Sequence, residues 1–187
     1  MSMENGSENY RRYREDGDEQ GLAEVIREYK DGLTLYLYSL VGDINLAEEL
    51  CEDTFVLLGT KKPKDRRKGS FKTWLYTIGR NRAIDFLRKK TNRNYIPLHD
   101  GDGIADERLL EDSYIKEEQK IALHRAMGQL KPEHRQVLWL MYFEGLSAKE
   151  AAAVMKRSVH AAEMLAQRAK ASLKQQLETE DFIYEEL

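Results

Sequence analysis

Cysteine occurs once in this 187-residue chain, as Cys51. A lone thiol excludes an intramolecular disulfide framework and a CxxC metal site. With three prolines and twelve glycines, the chain is short of the turn residues that a sandwich or barrel of many tight turns needs. No run of about eighteen apolar residues occurs, so no helix is expected to insert in a membrane. Met1 to Asp18 is polar and lacks an apolar stretch, which does not read as a secretory signal. No glycine-rich phosphate loop, nucleophile elbow or paired-carboxylate signature is found. The histidines, His99, His124, His134 and His160, include no i,i+4 pair with a third ligand nearby. Nothing here argues for catalysis, a metal, a cofactor or a small-molecule substrate. The expected compartment is the reducing cytoplasm.

What is present is charge, and it is segregated. Charged residues make up 34% of the chain and hydrophobic ones 41%, enough for one large core or two small ones at about 150 residues per domain. The net charge of −3 conceals a basic block from Lys61 to Arg93 with thirteen basic and two acidic residues. His99 to Glu118 reverses this, with eight acidic and two basic residues. Lys131 to Leu177 is basic again, eight against four, and the last ten residues hold five acids and no base. Two basic blocks around an acidic one fit two polyanion-binding surfaces on either side of a solvated connector, although charge runs also arise as plain solvated helix faces.

Apolar periodicity is helical throughout. Leu22, Val25, Ile26, Tyr29, Leu33, Tyr36 and Leu37 recur at spacings of three and four, which predicts a helix over Glu19 to Val41, with a break near Gly32. Asn45 followed by Glu48 reads as a capping box for a second helix ending at Gly59. Its carboxylates Glu48, Glu49, Glu52 and Asp53 cluster, a pattern that suits a partner or solvent better than acid–base chemistry. Ser70 caps a third helix reaching about Lys90, with Phe71, Trp74, Leu75, Ile78 and Phe86 along one side. Asn94 to Asp112 has no sustained period and contains Pro97, Gly101 and Gly103, so it reads as a linker. Beyond it come a helix from Tyr114 to Leu130, another from Pro132 to Phe143 ending at Gly145, and a short one capped by Ser147 and Glu150. After a turn at Lys156–Ser158, a last helix runs from Val159 to about Leu177.

The short helix, turn and long helix make a helix-turn-helix, in which the second helix lies in the DNA major groove; hairpins of this length also serve packing alone. On a helical wheel Val159, Ala162, Ala166, Ala169, Leu173 and Leu177 form the inward stripe. His160, Met164, Leu165 and Arg168 point elsewhere. Arg157, Arg168 and Lys170 are the obvious partners for phosphates or base edges.

The segment Gly69–Lys89 (GSFKTWLYTIGRNRAIDFLRK) resembles the promoter-melting helix of bacterial RNA polymerase sigma factors, most nearly the extracytoplasmic-function (ECF) group. Ala47–Phe55 (AEELCEDTF) resembles that family's polymerase-binding helix. Leu130–Leu138 (LKPEHRQVL) with Phe143–Ser147 (FEGLS) resembles the entry to its second domain. The pieces follow family order and spacing from Glu19 to Leu177. The resemblance implies an all-α protein of two small helical domains on a flexible linker, the second with the helix-turn-helix. Residues 1–18 would be a disordered arm and 19–93 the domain for polymerase binding, minus-ten recognition and melting. Residues 94–112 would be the linker, 113–178 the minus-thirty-five domain and 179–187 an acidic tail.

It further implies a non-enzymatic specificity subunit whose partners are core RNA polymerase and promoter DNA, with an anti-sigma protein as a further candidate. Glu48, Glu49, Glu52 and Asp53 would meet the polymerase clamp. Lys72, Arg80 and Asn81, with Arg66, Arg67 and Lys68 of the basic loop, would hold the minus-ten strand, since phosphate attraction beside aromatic rings suits single-strand capture. Phe71 and Trp74 are expected to pack instead. Arg157, His160, Met164, Leu165, Arg168 and Lys170 would face the minus-thirty-five element. Glu163, Met164 and Leu165 depart from the family's usual polar or basic residues there. Met164 and Leu165 are expected to be exposed, for thymine methyl groups or for cover by the first domain or an inhibitor; a helix rotated relative to this wheel is the alternative. The rival reading is a helix-turn-helix regulator that acts without polymerase.

Overall fold

The computed structural model describes residues 5–65, 69–91 and 114–179. Among them the chain is helical and no strand occurs. The first domain holds α1 (Asn5–Asp16), α2 (Glu19–Val41), α3 (Ile44–Lys61) and α4 (Phe71–Thr91). The second holds α5 (Tyr114–Gly128), α6 (Pro132–Leu138), a π-helical turn (Trp139–Phe143), α7 (Ala148–Met155) and α8 (Val159–Thr179). The expected linker, residues 94–112, lies outside the described residues, as do Arg66, Arg67 and Lys68 of the basic loop and all of the acidic tail beyond Thr179.

Local chemistry sets the helix ends. The Asp18 carboxylate accepts from the Gln20 N–H at 3.0 Å and opens α2. Asp43, not Asn45, opens α3 by accepting from the Leu46 N–H at 3.1 Å. The helix passes Gly59 and ends two residues later, where Lys62 adopts φ 44°. Ser70 opens α4 as expected, its Oγ accepting from the Thr73 N–H at 3.2 Å. Ser147 and Glu150 form the full reciprocal capping box at α7. The helix expected from Pro132 to Phe143 changes character at Trp139. There the Glu144 N–H reaches back to the Trp139 carbonyl at 3.0 Å, and Trp139 stacks on Phe143 at 4.5 Å. A widened turn of this kind re-aims the chain that follows it.

The core of the first domain gathers Val25, Leu33, Leu37, Leu50, Leu58 and Leu75, all nearly or fully buried. Each such side chain contributes about 1.5–3 kcal/mol by leaving water. The two domains are docked, with α4 against α7 and α2 against α6. That docking changes which face of α4 is inside. Phe71, Thr73, Leu75, Tyr76, Gly79 and Ala83 are buried, Trp74 and Ile78 half-buried, and Phe86 exposed. Of the expected stripe, Phe71 and Leu75 are buried, Trp74 and Ile78 half-buried, and Phe86 is left exposed.

The N-terminal arm, expected to be disordered, folds from Asn5 onward as α1. It carries few apolar residues, but Tyr10 is 2% exposed. The Tyr10 hydroxyl donates to the Pro63 carbonyl at 2.9 Å and the Tyr13 hydroxyl to the Gly59 carbonyl at 2.7 Å. Arg12 pairs with Asp18 and, at 3.6 Å, with Glu24. Helices α1 and α2 cross at Gly21, where a Cβ would lie 2.2 Å from the Asn9 carbonyl oxygen. The arm is ordered because its two tyrosines find both an apolar bed and polar partners for their hydroxyls.

Candidate polymerase and nucleic-acid interfaces

Helix α3 has two distinct faces. Ala47, Leu50, Cys51, Thr54, Phe55 and Leu58 are buried. Glu49, Glu52 and Asp53 are exposed and Glu48 half-buried on the other side. Asp53 reaches across to Arg82 of α4 at 3.6 Å, which fixes α3 against the helix beside it. Val56, one turn beyond Glu52, is 59% exposed on the same face. Sequence reasoning missed it. Its signal was an aliphatic residue at i+4 from an acid and off the buried positions. A carboxylate face with an apolar centre suits a docking surface whose partner supplies cations around a small hydrophobic contact.

Residues of α4 expected to hold DNA sit near the second domain. Lys72 donates from Nζ to the Glu144 carbonyl and pairs with its carboxylate, both at 2.8 Å. Arg80 donates from Nε to Oε1 of Gln136 at 3.3 Å. Asn81 is half-buried. The nearby tyrosine hydroxyl of Tyr76 donates to the Glu144 carboxylate at 2.7 Å. Burial, with that carboxylate beside it, raises the pKa of Tyr76 far above the ordinary value. Upstream, Lys61, Lys62 and Lys64 are exposed, and Lys62 lies over the Tyr13 ring at 4.5 Å. Phe71 packs on Tyr10, Tyr29 and Trp74 with ring centroids 5.4–5.7 Å apart. Phe71 is therefore a core residue, as expected.

In the second domain, Arg157, His160, Met164 and Arg168 line one groove between α8 and the start of α6, with Lys131 and His134 opposite. Lys131 was not among the expected site residues. Its signal was its position just before Pro132, where a helix N-terminus turns back towards α8. Arg157 is paired with Glu133 at 2.7 Å. Lys170 lies apart from this groove, 4.6 Å over the Tyr142 ring.

Leu165 corrects the wheel. It is 8% exposed and belongs to the core, while Met164 is half-buried and Val159, expected inward, is 41% exposed. The buried residues are Ala162, Leu165, Ala166, Ala169 and Leu177; four lie on the expected stripe, and Leu165 widens it by roughly 40° beyond Ala169 at 100° per residue. Helix α6 packs on α8, and Leu165 shares the groove lining with Lys131, Pro132, Glu133 and His134 at the start of α6 and belongs to the common core. Neither the first domain nor an inhibitor is required to cover Leu165.

Residues 25–93 match Sigma-70 region 2 and residues 120–173 match Sigma-70, region 4. The chain is 26% identical over 170 residues to the ECF RNA polymerase sigma factor SigW of Bacillus subtilis, covering 86% of this chain and 91% of that protein. It is 31% identical over 160 residues to the ECF RNA polymerase sigma factor BldN of Streptomyces coelicolor, covering 82% of this chain and 59% of the other. Its fold is similar to that of CnrH, solved with the cytosolic domain of CnrY, with a TM-score of 0.64 at 20% identity over 94% of this chain and 96% of that one. It is also similar to RpoE of Bartonella quintana, solved with the anti-sigma factor NepR, with a TM-score of 0.65 at 20% identity over 83% and 96% of the two chains. Among the described residues no helix is long and apolar enough to cross a membrane. Two sigma-70 regions in family order, on two helical domains, make this chain an RNA polymerase sigma factor of the ECF group, which binds core polymerase and promoter DNA to initiate transcription.

Proposed function

We propose that the three surfaces divide the work of a non-enzymatic specificity subunit acting in the cytoplasm. The acids of α3, half-buried Glu48 and exposed Glu49, Glu52 and Asp53, with Val56 one turn on, dock on a basic region of core polymerase. Lys72, Arg80 and Asn81, with the loop residues Arg66, Arg67 and Lys68, hold the minus-ten strand. Arg157, His160, Met164 and Arg168, joined by Lys131, meet the minus-thirty-five duplex; Leu165 supports that helix from within, and Lys170 reaches a neighbouring phosphate. An anti-sigma protein is a further partner under this reading, since the similar folds CnrH and RpoE were each solved with a protein bound, NepR being an anti-sigma factor.

The observation that carries the assignment is the division of charge by face. Glu49, Glu52 and Asp53 of α3 are exposed on the side away from its buried residues, while the α8 groove gathers two arginines, a lysine and two histidines beside one carboxylate, Glu133. Like-charge juxtaposition costs several kcal/mol at an interface, so one patch cannot serve both a basic protein surface and DNA. The test is a pair of charge changes in the full chain. Reversing Glu49 and Glu52 to lysine is expected to abolish co-purification with core polymerase and leave duplex binding intact. Arg168→Ala is expected to do the opposite. Unaltered polymerase binding by the folded double reversal would refute the α3 assignment.

A further inference from the structure

The two domains meet through a cluster in which carboxylates of the second occupy the DNA-facing groups of the first. Glu144 follows the π-helical turn, and its side chain is 10% exposed. It takes Lys72 on both its carbonyl and its carboxylate, and it takes the Tyr76 hydroxyl as well. Glu150 is divided between two duties. Its Oε2 accepts from Ser147 and completes the α7 capping box. Its Oε1 accepts from Ser70 Oγ at 2.8 Å and Thr73 Oγ1 at 3.3 Å, at the opening turn of α4. Arg80 is held by Gln136, which is itself buried, and Arg135 donates to the Ser39 carbonyl at 2.7 Å.

A carboxylate and a phosphate ask the same things of a protein: a cation, hydroxyl donors and the positive end of a helix. Lys72, Ser70, Thr73 and the first turn of α4 supply all three, and here two carboxylates take them. The α8 groove is not used in this contact. It lies between α6 and α8, and none of its lining residues makes the contacts just described.

Space for the cluster comes from Gly32 in the middle of α2. A Cβ there would lie 2.7 Å from the Tyr76 hydroxyl and 3.0 and 3.1 Å from the two Glu144 carboxylate oxygens. The backbone is ordinary helix at this point, so glycine serves close approach and not a special dihedral. Alanine would favour the helix itself while pushing on the two groups that join the domains.

We propose that Glu144 and Glu150 form an intramolecular lock, in which the second domain stands in for single-stranded DNA on α4 and keeps the free sigma factor closed to the minus-ten strand while the α8 groove stays open to duplex. The inference rests on the assignment of Lys72 and Arg80 to the minus-ten strand. The closed form yields to a competitor only if it binds these groups more strongly than the second domain does.

The test uses the full chain and three variants: Gly32→Ala, which is charge-neutral, Glu144→Ala, and Glu178→Ala as a control with the same charge change far from the interface. Small-angle scattering reads the separation of the domains. Fluorescence anisotropy reads binding of a labelled single-stranded dodecamer of random sequence, and circular dichroism verifies the fold. Gly32→Ala and Glu144→Ala are expected to expand the chain and to tighten dodecamer binding at least tenfold, with Glu178→Ala unchanged in both. Unaltered scattering in both variants, or expansion without tighter binding, overturns the lock. Holoenzymes carrying Lys72→Ala or Arg80→Ala separate the two readings. If they fail to open a promoter while Gly32→Ala gains nothing, the lock alone is wrong. If they open it normally while Gly32→Ala gains affinity, closure stands and the α4 assignment falls.

Discussion

Arg157 and Glu133 are held together at 2.7 Å across the mouth of the α8 groove, so a residue marked for DNA is neutralised by a residue of the neighbouring helix. Both side chains are partly exposed, at 34% and 57%, and a pair of this kind contributes about 0–1 kcal/mol to stability. Glu133→Gln is therefore expected to change the melting temperature little. It should raise affinity for a 20-base-pair duplex by roughly three- to tenfold and steepen the dependence on salt, because a freed arginine releases one more counterion. Titrations at several salt concentrations check this. An unchanged slope means that Arg157 does not reach phosphate.

Leu165 and Met164 are neighbours with different fates. Leu165→Ala removes a core side chain and is expected to cost about 2–5 kcal/mol of stability in the second domain. Met164→Ala should cost little stability and act on duplex binding instead, by about 1–3 kcal/mol where the groove reads a base pair. Denaturant unfolding and duplex titration on both variants distinguish them. Equal loss of stability for the two would contradict the burial of Leu165 beside a more open Met164.

The packing of α1 makes it part of the first domain. Tyr10→Ala is expected to cost about 3–5 kcal/mol, the range for truncating a buried aromatic ring. Tyr13→Phe deletes only the hydroxyl that binds the Gly59 carbonyl and should cost about 0.5–1.5 kcal/mol. Burial pushes the Tyr10 hydroxyl up to about 12, so folding keeps it protonated above its ordinary range. The stability from that group is present at neutral pH and is lost as pH rises through about 12. Absorbance titration of phenolate, with Tyr10→Phe as the difference, checks the order of loss.

Glu150 gives the domain contact an acid limit. Burial works against its charge, but hydrogen bonds from Ser147, Ser70 and Thr73 outweigh this and hold its pKa below the ordinary value of 4.5. A carboxyl depressed in the folded state stabilises fully above its unfolded pKa, and that stability disappears as pH falls through the folded value. Docking and the α7 capping box are expected to weaken together below about pH 4.5. The Lys72–Glu144 ion pair crosses the same interface. Scattering and helicity between pH 6 and pH 3 provide the measurement, and Glu150→Gln should flatten the transition.

Much of the protein was legible because much of it is local. Ser70, Ser147 with Glu150, and Pro132 mark helix starts through contacts within one turn of the chain, and the structure keeps all three. The division into two basic blocks and the acidic face of α3 required only counting. Helix periodicity placed Leu50 and Leu58 inside without knowledge of what they touch. The errors lie where a side chain's environment is provided by a distant segment. Tyr10 is ordered by the carbonyl of Pro63, 53 residues away. Leu165 is buried in a core shared with α6, about thirty residues earlier in the chain, which a single-helix wheel does not include. Lys72 and Arg80 carry the charge expected of DNA contacts, yet their partners in the free chain are 72 and 56 residues further on. Composition, caps and periodicity determine which residues can be helix, core or charged face, since those depend on the chain within a few residues. Which face is covered, and which cation is already satisfied, is decided only when helices far apart in sequence are brought within hydrogen-bond reach.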